Sequence, residues 1–179
     1  MKLLRTIRLD PSDTFIFALA AAPGEWAVSG SFMFWNDDPM TLEGKTRTAF
    51  RSGFLGVQSL GWSTLVQIVE ASADDREQVV AQLARQLVEK FGAPDIKTAA
   101  TAAEEEVAFA ESLATDDKDT LVAVHRRVED GQIREAFRTL KPRNGPAPLR
   151  AFSFFDVEDE PPRPDDEVSL AALATRDRK

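Results

Sequence analysis

Gly53-Phe54-Leu55-Gly56-Val57, then Gly61-Trp62-Ser63-Thr64-Leu65-Val66-Gln67-Ile68-Val69-Glu70, is the stretch whose reading decides the fold. Leu65 to Val69 is a short, β-branched, mostly apolar run between polar residues, the pattern of a strand buried on both faces. Behind it Val79, Val80, Leu83, Ala84, Leu87, Val88 and Phe91 recur at helical spacing, so one stripe of a helix over 74–91 must lie on a sheet. Ser72-Ala73-Asp74-Asp75 puts acids at its start, Gly92 ends it, and Pro94 prevents continuation.

Working outward, Pro94-Asp95 opens an alanine-rich helix over 95–113, a composition suited to close helix packing. Thr120 to Leu140 reads as a hairpin about Asp130-Gly131, the dipeptide that a turn with two positive φ angles wants. Counting outward sets Val128 against Ile133, Arg126 against Glu135 and Val124 against Phe137, with Arg127 facing Arg134 as the one poor pair. Ile133, Ala136, Phe137 and Leu140 also fit a period of 3.6, so a helix over 133–140 competes with the hairpin, which is favoured.

On the N-terminal side, Leu3–Leu9 and Thr14–Ala18 read as strands separated by the Asp10-Pro11-Ser12-Asp13 turn. Glu25 to Trp35 alternates, with Trp26, Val28, Phe32 and Phe34 on one face. Asp38 as N-cap and Pro39 at the first helical position introduce a helix over 40–52, with Leu42, Thr46, Ala49 and Phe50 inward and Gly53 ending it. Lys141 to Pro148 reads as loop and Arg150 to Val157 as a last strand. The expectation is one α+β domain over 1–157: an antiparallel or mixed sheet of about five to seven strands with three main helices packed on one face. An acidic, proline-rich tail over 158–179, partly disordered by composition, follows it.

Composition narrows function by what it lacks. The 179 residues contain no Cys and no Tyr, and His125 is the only histidine. A disulfide framework, a thiolate site, a cysteine nucleophile and a multi-histidine zinc site are all excluded. The remaining enzymatic routes are carboxylate, Lys, Ser/Thr or cofactor chemistry, and neither a metal set nor a cofactor motif such as GxGxxG is present in the sequence pattern. A net charge of −8 disfavours nucleic acid and anionic membranes. No run approaches the roughly 20 apolar residues of a membrane span, and Met1 to Leu9 lacks the apolar stretch of a signal peptide, so a cytoplasmic protein is expected.

Four sets of residues invite a site. Between Arg126 and Arg150 seven basic residues stand against three acids, a local +4 in an acidic chain. Arg126, Arg127, Arg134 and Arg138 are the candidate ligands for a phosphate or carboxylate group. The alternative is pairing with the protein's own acids, including the seven from Asp156 to Glu167. Trp35, Asp37, Asp38 and Trp62 are candidate pocket-lining residues, in a cleft between the 36–38 and 58–62 loops. His125 joins the pocket set, with no orienting partner visible from spacing. Glu104-Glu105-Glu106 and Asp116-Asp117-Asp119 lack EF-hand spacing and read as solvated faces.

Residues 25–35, 50–64 and 130–140 together resemble an uncharacterised bacterial family, a domain of unknown function, over nearly the whole chain except the tail. Such proteins tend to be encoded near molybdenum-enzyme and lipoate-ligase-like genes, which implies an accessory or maturation role and carries no catalytic residue across. The resulting expectation is a non-catalytic binding or accessory protein acting on a protein partner, a second copy of itself or a small anionic ligand. The competing expectation is a small enzyme using carboxylate and arginine chemistry on an anionic substrate.

Overall fold

A computed structural model of the chain describes residues 1–141 and 156–157. The strands are β1 (Lys2–Ile7), β2 (Trp26–Val28), β3 (Phe54–Gly56), β4 (Trp62–Ser63), β5 (Leu65–Glu70), β6 (Leu121–Glu129), β7 (Gln132–Lys141) and β8 (Asp156–Val157). They form one sheet in the order β4-β3-β2-β1-β5-β6-β7-β8, and each neighbouring pair is antiparallel. The helices are α1 (Ser12–Ile16), α2 (Gly44–Ser52), α3 (Ala73–Phe91) and α4 (Ile96–Leu113). The fold is α+β as expected, and the two-residue strands β4 and β8 take the sheet to eight.

The helices read most directly from sequence are the best capped. Ser72 and Asp75 form a reciprocal capping box at the start of α3, and Gly92 ends it with φ of 70°. Asp95 caps α4 by accepting from the Thr98 N–H. Val79, Leu83, Ala84 and Leu87 of α3, with Ala99, Ala103, Val107 and Ala110 of α4, bury into the shared core. The hairpin has the register obtained by counting from the turn: Val124↔Phe137, Arg126↔Glu135, Arg127↔Arg134 and Val128↔Ile133. Asp130 and Gly131 carry φ of 52° and 72°, so the helical alternative for 133–140 is ruled out.

The sheet is strongly curled. Phe54 of β3 and Phe137 of β7 lie five strand spacings apart in the sheet order, about 24 Å if flat. Their ring centroids are 6.1 Å apart. The curl brings β2 and β3 over the inner face of the hairpin, where Phe109 of α4 also meets Phe137 at 5.7 Å.

Several local expectations are corrected. Thr14–Ala18 is not a strand: Ser12–Ile16 is one short helix, with Phe15 70 % exposed while Phe17 is buried. The Asp13 carboxylate is buried there, accepting from the Ser63 hydroxyl and from the Thr64 N–H and hydroxyl, which fixes the turn against β4. The alternating run from Glu25 stops being a strand at Val28. Gly30, with φ of 78°, turns it into a 3-10 helix over Ser31–Phe34; a Cβ at Gly30 would stand 2.5 Å from the Leu55 Cβ. Phe34 then stacks on Trp62 at 5.2 Å, whereas Phe32 meets Phe91 at 5.9 Å. Asp38 does accept from the Met40 N–H at 3.0 Å, but it caps a turn, and α2 begins at Gly44 with Thr46 exposed. Leu65–Val69 alternates instead of burying both faces: Val66 and Ile68 are fully buried while Leu65, Gln67 and Val69 are half-buried. Of the last strand, Asp156–Val157 pair with β7; its earlier residues, the 142–148 loop and the 158–179 tail lie outside the described residues.

Candidate functional site

Arg126 is the largest fully buried side chain among the described residues. Its position follows from strand parity: in β6, Val124, Arg126 and Val128 share the inner face, and the curl closes β2 and β3 over it. All five N–H donors are spent on the protein. Nε donates to Glu135 Oε1 at 2.6 Å; Nη1 donates to the carbonyls of Phe50 and Gly53 at 3.1 and 2.7 Å. Nη2 donates to the Ser29 carbonyl and, at 2.9 Å, to the Ser29 hydroxyl, which in turn donates to Glu135 Oε1. Arg126 thus clips the hairpin to the β2 and α2–β3 segments, and no N–H remains for a ligand.

Beside this clip opens a cleft of about 700 Å³. One wall is the 3-10 segment with Phe32 and Trp35; another is the end of α3 with Phe91; the rest comes from α4 and β7. Trp35 is 81 % exposed, a large ring at the edge of the opening. Three carboxylic side chains line the cleft: Glu105 and Glu106 of α4 and Glu135 of β7. Glu106 Oε2 is buried with no hydrogen-bond partner. Burial pushes the Glu106 carboxyl up to about 7, the Glu135 charge adds to the rise, and Arg126 opposes it.

Apart from Arg126, the sequence candidates are divided among four places. Trp35 lines the cleft. Trp62 does not: it is buried, stacked on Phe34, and lies so close to Gly53 that a Cβ there would stand 2.7 Å from its ring. Asp37 and Asp38 are exposed in the turn after the 3-10 helix and, like Trp62, are not among the residues that line this cleft. His125, Arg127, Arg134 and Arg138 are exposed on the outer face of the hairpin, opposite to Arg126. There Glu129 approaches both Arg127 at 3.5 Å and Arg134 at 3.8 Å. Partial desolvation of the ring where it lies against the sheet, and then Arg51, Arg138 and Arg127, hold the His125 imidazole below its ordinary value. The basic set is therefore split: Arg126 is committed inside, the others stand outside.

The reading of Glu104-Glu105-Glu106 as a solvated face is corrected at Glu106, whereas Glu135 stands opposite Arg126 as the hairpin register requires. Glu104 behaves as a solvated residue, pairing with Arg76 at 2.7 Å. Glu106 does not, and a signal was available. The buried stripe of α4 runs through Ala99, Ala103, Val107 and Ala110, and Glu106 stands three residues after one member and four before another. A carboxylate on the edge of an apolar stripe is the outlier worth following. Among the described residues no group of three or more His, Asp or Glu side chains converges as a metal site, and no helix is long and apolar enough to cross a membrane.

A family model described as "Family of unknown function (DUF6505)" matches residues 1–159. No curated protein and no solved structure matches the chain.

Proposed function

The chain belongs to this family of unknown function, and we propose that it is a small-molecule-binding protein whose ligand enters the cleft between the 3-10 segment, the α3–α4 junction and β7. The observation that carries the reading is Glu106: a carboxyl held in an aromatic-walled cleft with Oε2 buried and unpartnered. A buried polar atom without a partner costs on the order of 1–3 kcal/mol, a cost that a ligand group can relieve. The cleft's volume falls in the range typical of sites for small organic molecules.

An accessory role beside a protein partner in the cytoplasm belongs to the same proposal, supported by the acidic composition and by the resemblance quoted above. An anionic ligand is proposed only for the outer face of Arg127, Arg134 and Arg138, since Arg126 has no donor to give.

Titration with the neutral dye Nile red tests the cleft. Saturable fluorescence enhancement is expected from the native chain, and loss of it in Ala102→Trp, where an exposed cleft residue becomes a ring that fills the space. Equal enhancement in a folded Ala102→Trp would overturn the reading.

A second reading has one observation in its favour. A carboxyl titrating at about 7 inside a cleft has the proton affinity that general acid–base catalysis requires. If the protein is an enzyme, Glu106→Gln abolishes turnover of a bound substrate while dye binding persists.

A further inference from the structure

The cleft also specifies the charge of its occupant, an inference that rests on the reading of the cleft as a ligand site. Two carboxyls, Glu106 and Glu135, line it, and the Arg126 guanidinium lies behind Glu135, outside the lining. Arg126 gives Glu135 a charge-assisted hydrogen bond and spends its remaining donors on Phe50, Gly53 and Ser29, so none reaches Glu106. Glu105 adds a third carboxyl on the same helix, and no Lys or Arg lines the cleft. The other walls bring no ionisable group to it: α3 offers Leu87 and Phe91, the 3-10 segment Phe32, Trp35 and uncharged polar residues.

An uncompensated carboxylate among aromatic faces is the arrangement that recognises organic cations, through charge on one side and ring quadrupoles on the other. We infer that the cleft takes a small organic cation, an ammonium group on an aromatic or alkyl body, with the charge against Glu106 and the apolar part against Phe32 and Trp35. An anion would meet three carboxyls; a neutral amphiphile would leave Glu106 holding its proton. The cation and the proton compete for the same carboxylate, with Glu135 and Glu105 favouring a positive charge there and Arg126 opposing it.

Three probes of one shape separate the possibilities: phenethylamine, phenethyl alcohol and hydrocinnamate, each measured by calorimetry and by displacement of Nile red. Near pH 8 the amine should bind at least about tenfold more tightly than the alcohol, the hydrocinnamate most weakly. Near pH 5 the advantage of the amine should shrink to about twofold, because Glu106 is then protonated. Near pH 7, runs in buffers of different ionisation enthalpy should show that amine binding releases protons. Glu106→Gln should lose the preference for the amine while keeping alcohol affinity within about twofold; the pH series on the native chain gives the same answer should that variant fold poorly. Alcohol or hydrocinnamate binding as tightly as the amine near pH 8 overturns the cation and leaves the cleft standing. Binding by none of the three, with dye enhancement unchanged in Ala102→Trp, removes the cleft and this inference with it.

Discussion

The inner and outer faces of the β6–β7 hairpin use the same residue type in opposite ways. Arg126 and Arg127 are chain neighbours, yet the first is fully buried with five donors satisfied and the second is 45 % exposed with one long contact to Glu129. Strand parity sends them to opposite sides; the curl of the sheet then makes one side an interior. Inside, the guanidinium is a fastener between segments far apart in sequence. Outside, three arginines crowd about one histidine with sparse compensation. Charge of one sign is structural where the geometry closes over it and available where it does not.

The largest effect should come from removing the fastener. Arg126→Met leaves Glu135 charged and partly buried, and strips the Ser29, Phe50 and Gly53 carbonyls of their donor. Breaking a buried pair from one side costs about 3–5 kcal/mol, read from denaturant unfolding. Arg127→Met should cost less than about 0.5 kcal/mol. Adding Glu135→Leu to Arg126→Met should recover part of the loss by removing the stranded charge, but not all, since the three carbonyls stay unpaired. Equal costs at 126 and 127 would dissolve the contrast.

Next comes pH. The Glu106 carboxyl is raised to about 7 from an ordinary 4.5, so its contribution is fully present below about 4.5 and is lost as pH rises toward 7. The native chain should lose on the order of 2 kcal/mol between pH 5 and 8 from this group. Glu106→Gln should flatten that slope, and Glu129→Gln on the outer face should leave it unchanged. Asp75 and Asp95, lowered by their capping hydrogen bonds, act in the opposite sense, below about 4, and do not confuse the window. Smaller still is the turn that sets which residue faces which side. Gly131→Ala places a Cβ on a residue with φ of 72° and should cost about 1 kcal/mol, with the Arg126 contacts preserved if the register holds.

The parts of the fold that could be read from sequence are those where local chemistry and tertiary demand agree. Ser72 and Asp75, Gly92, Asp95 and Asp130-Gly131 each satisfy a backbone group or a φ angle within a few residues, and each stands where it was expected. The misread segments are those whose conformation is imposed from elsewhere. Alternation from Trp26 to Phe34 mimics a strand, but close approach of Leu55 and Trp62 to Gly30 bends the chain. Phe15-Ile16-Phe17 mimics a strand because only the fold reveals that Phe15 is exposed. The candidate site followed the same division. Trp35 was found through its polar, turn-forming neighbours, whereas Glu106 and the burial of Arg126 depend on how α4 and the curl meet. Pairing of Arg126 with Glu135 was counted from the turn; that the pair lies inside was not.

The smallest effect probes the outer face directly. His125 is the only histidine, so its ring protons report one titration without ambiguity. Partial desolvation lowers its pKa first, and Arg51, Arg138 and Arg127 lower it further by repelling the imidazolium. Arg127→Gln should therefore raise the His125 pKa in a proton NMR titration, yet leave it below the ordinary value because that desolvation persists. Arg126→Lys, across the strand on the inner face, should leave it nearly unmoved. Inorganic phosphate sharpens the question: an anion held among Arg127, Arg138 and His125 must favour the imidazolium, so its binding raises the same pKa. Sodium chloride at matched ionic strength only screens the arginines and should raise it less. If phosphate and chloride act alike, the outer arginines are a solvated surface, and the difference between the two faces is one of burial alone.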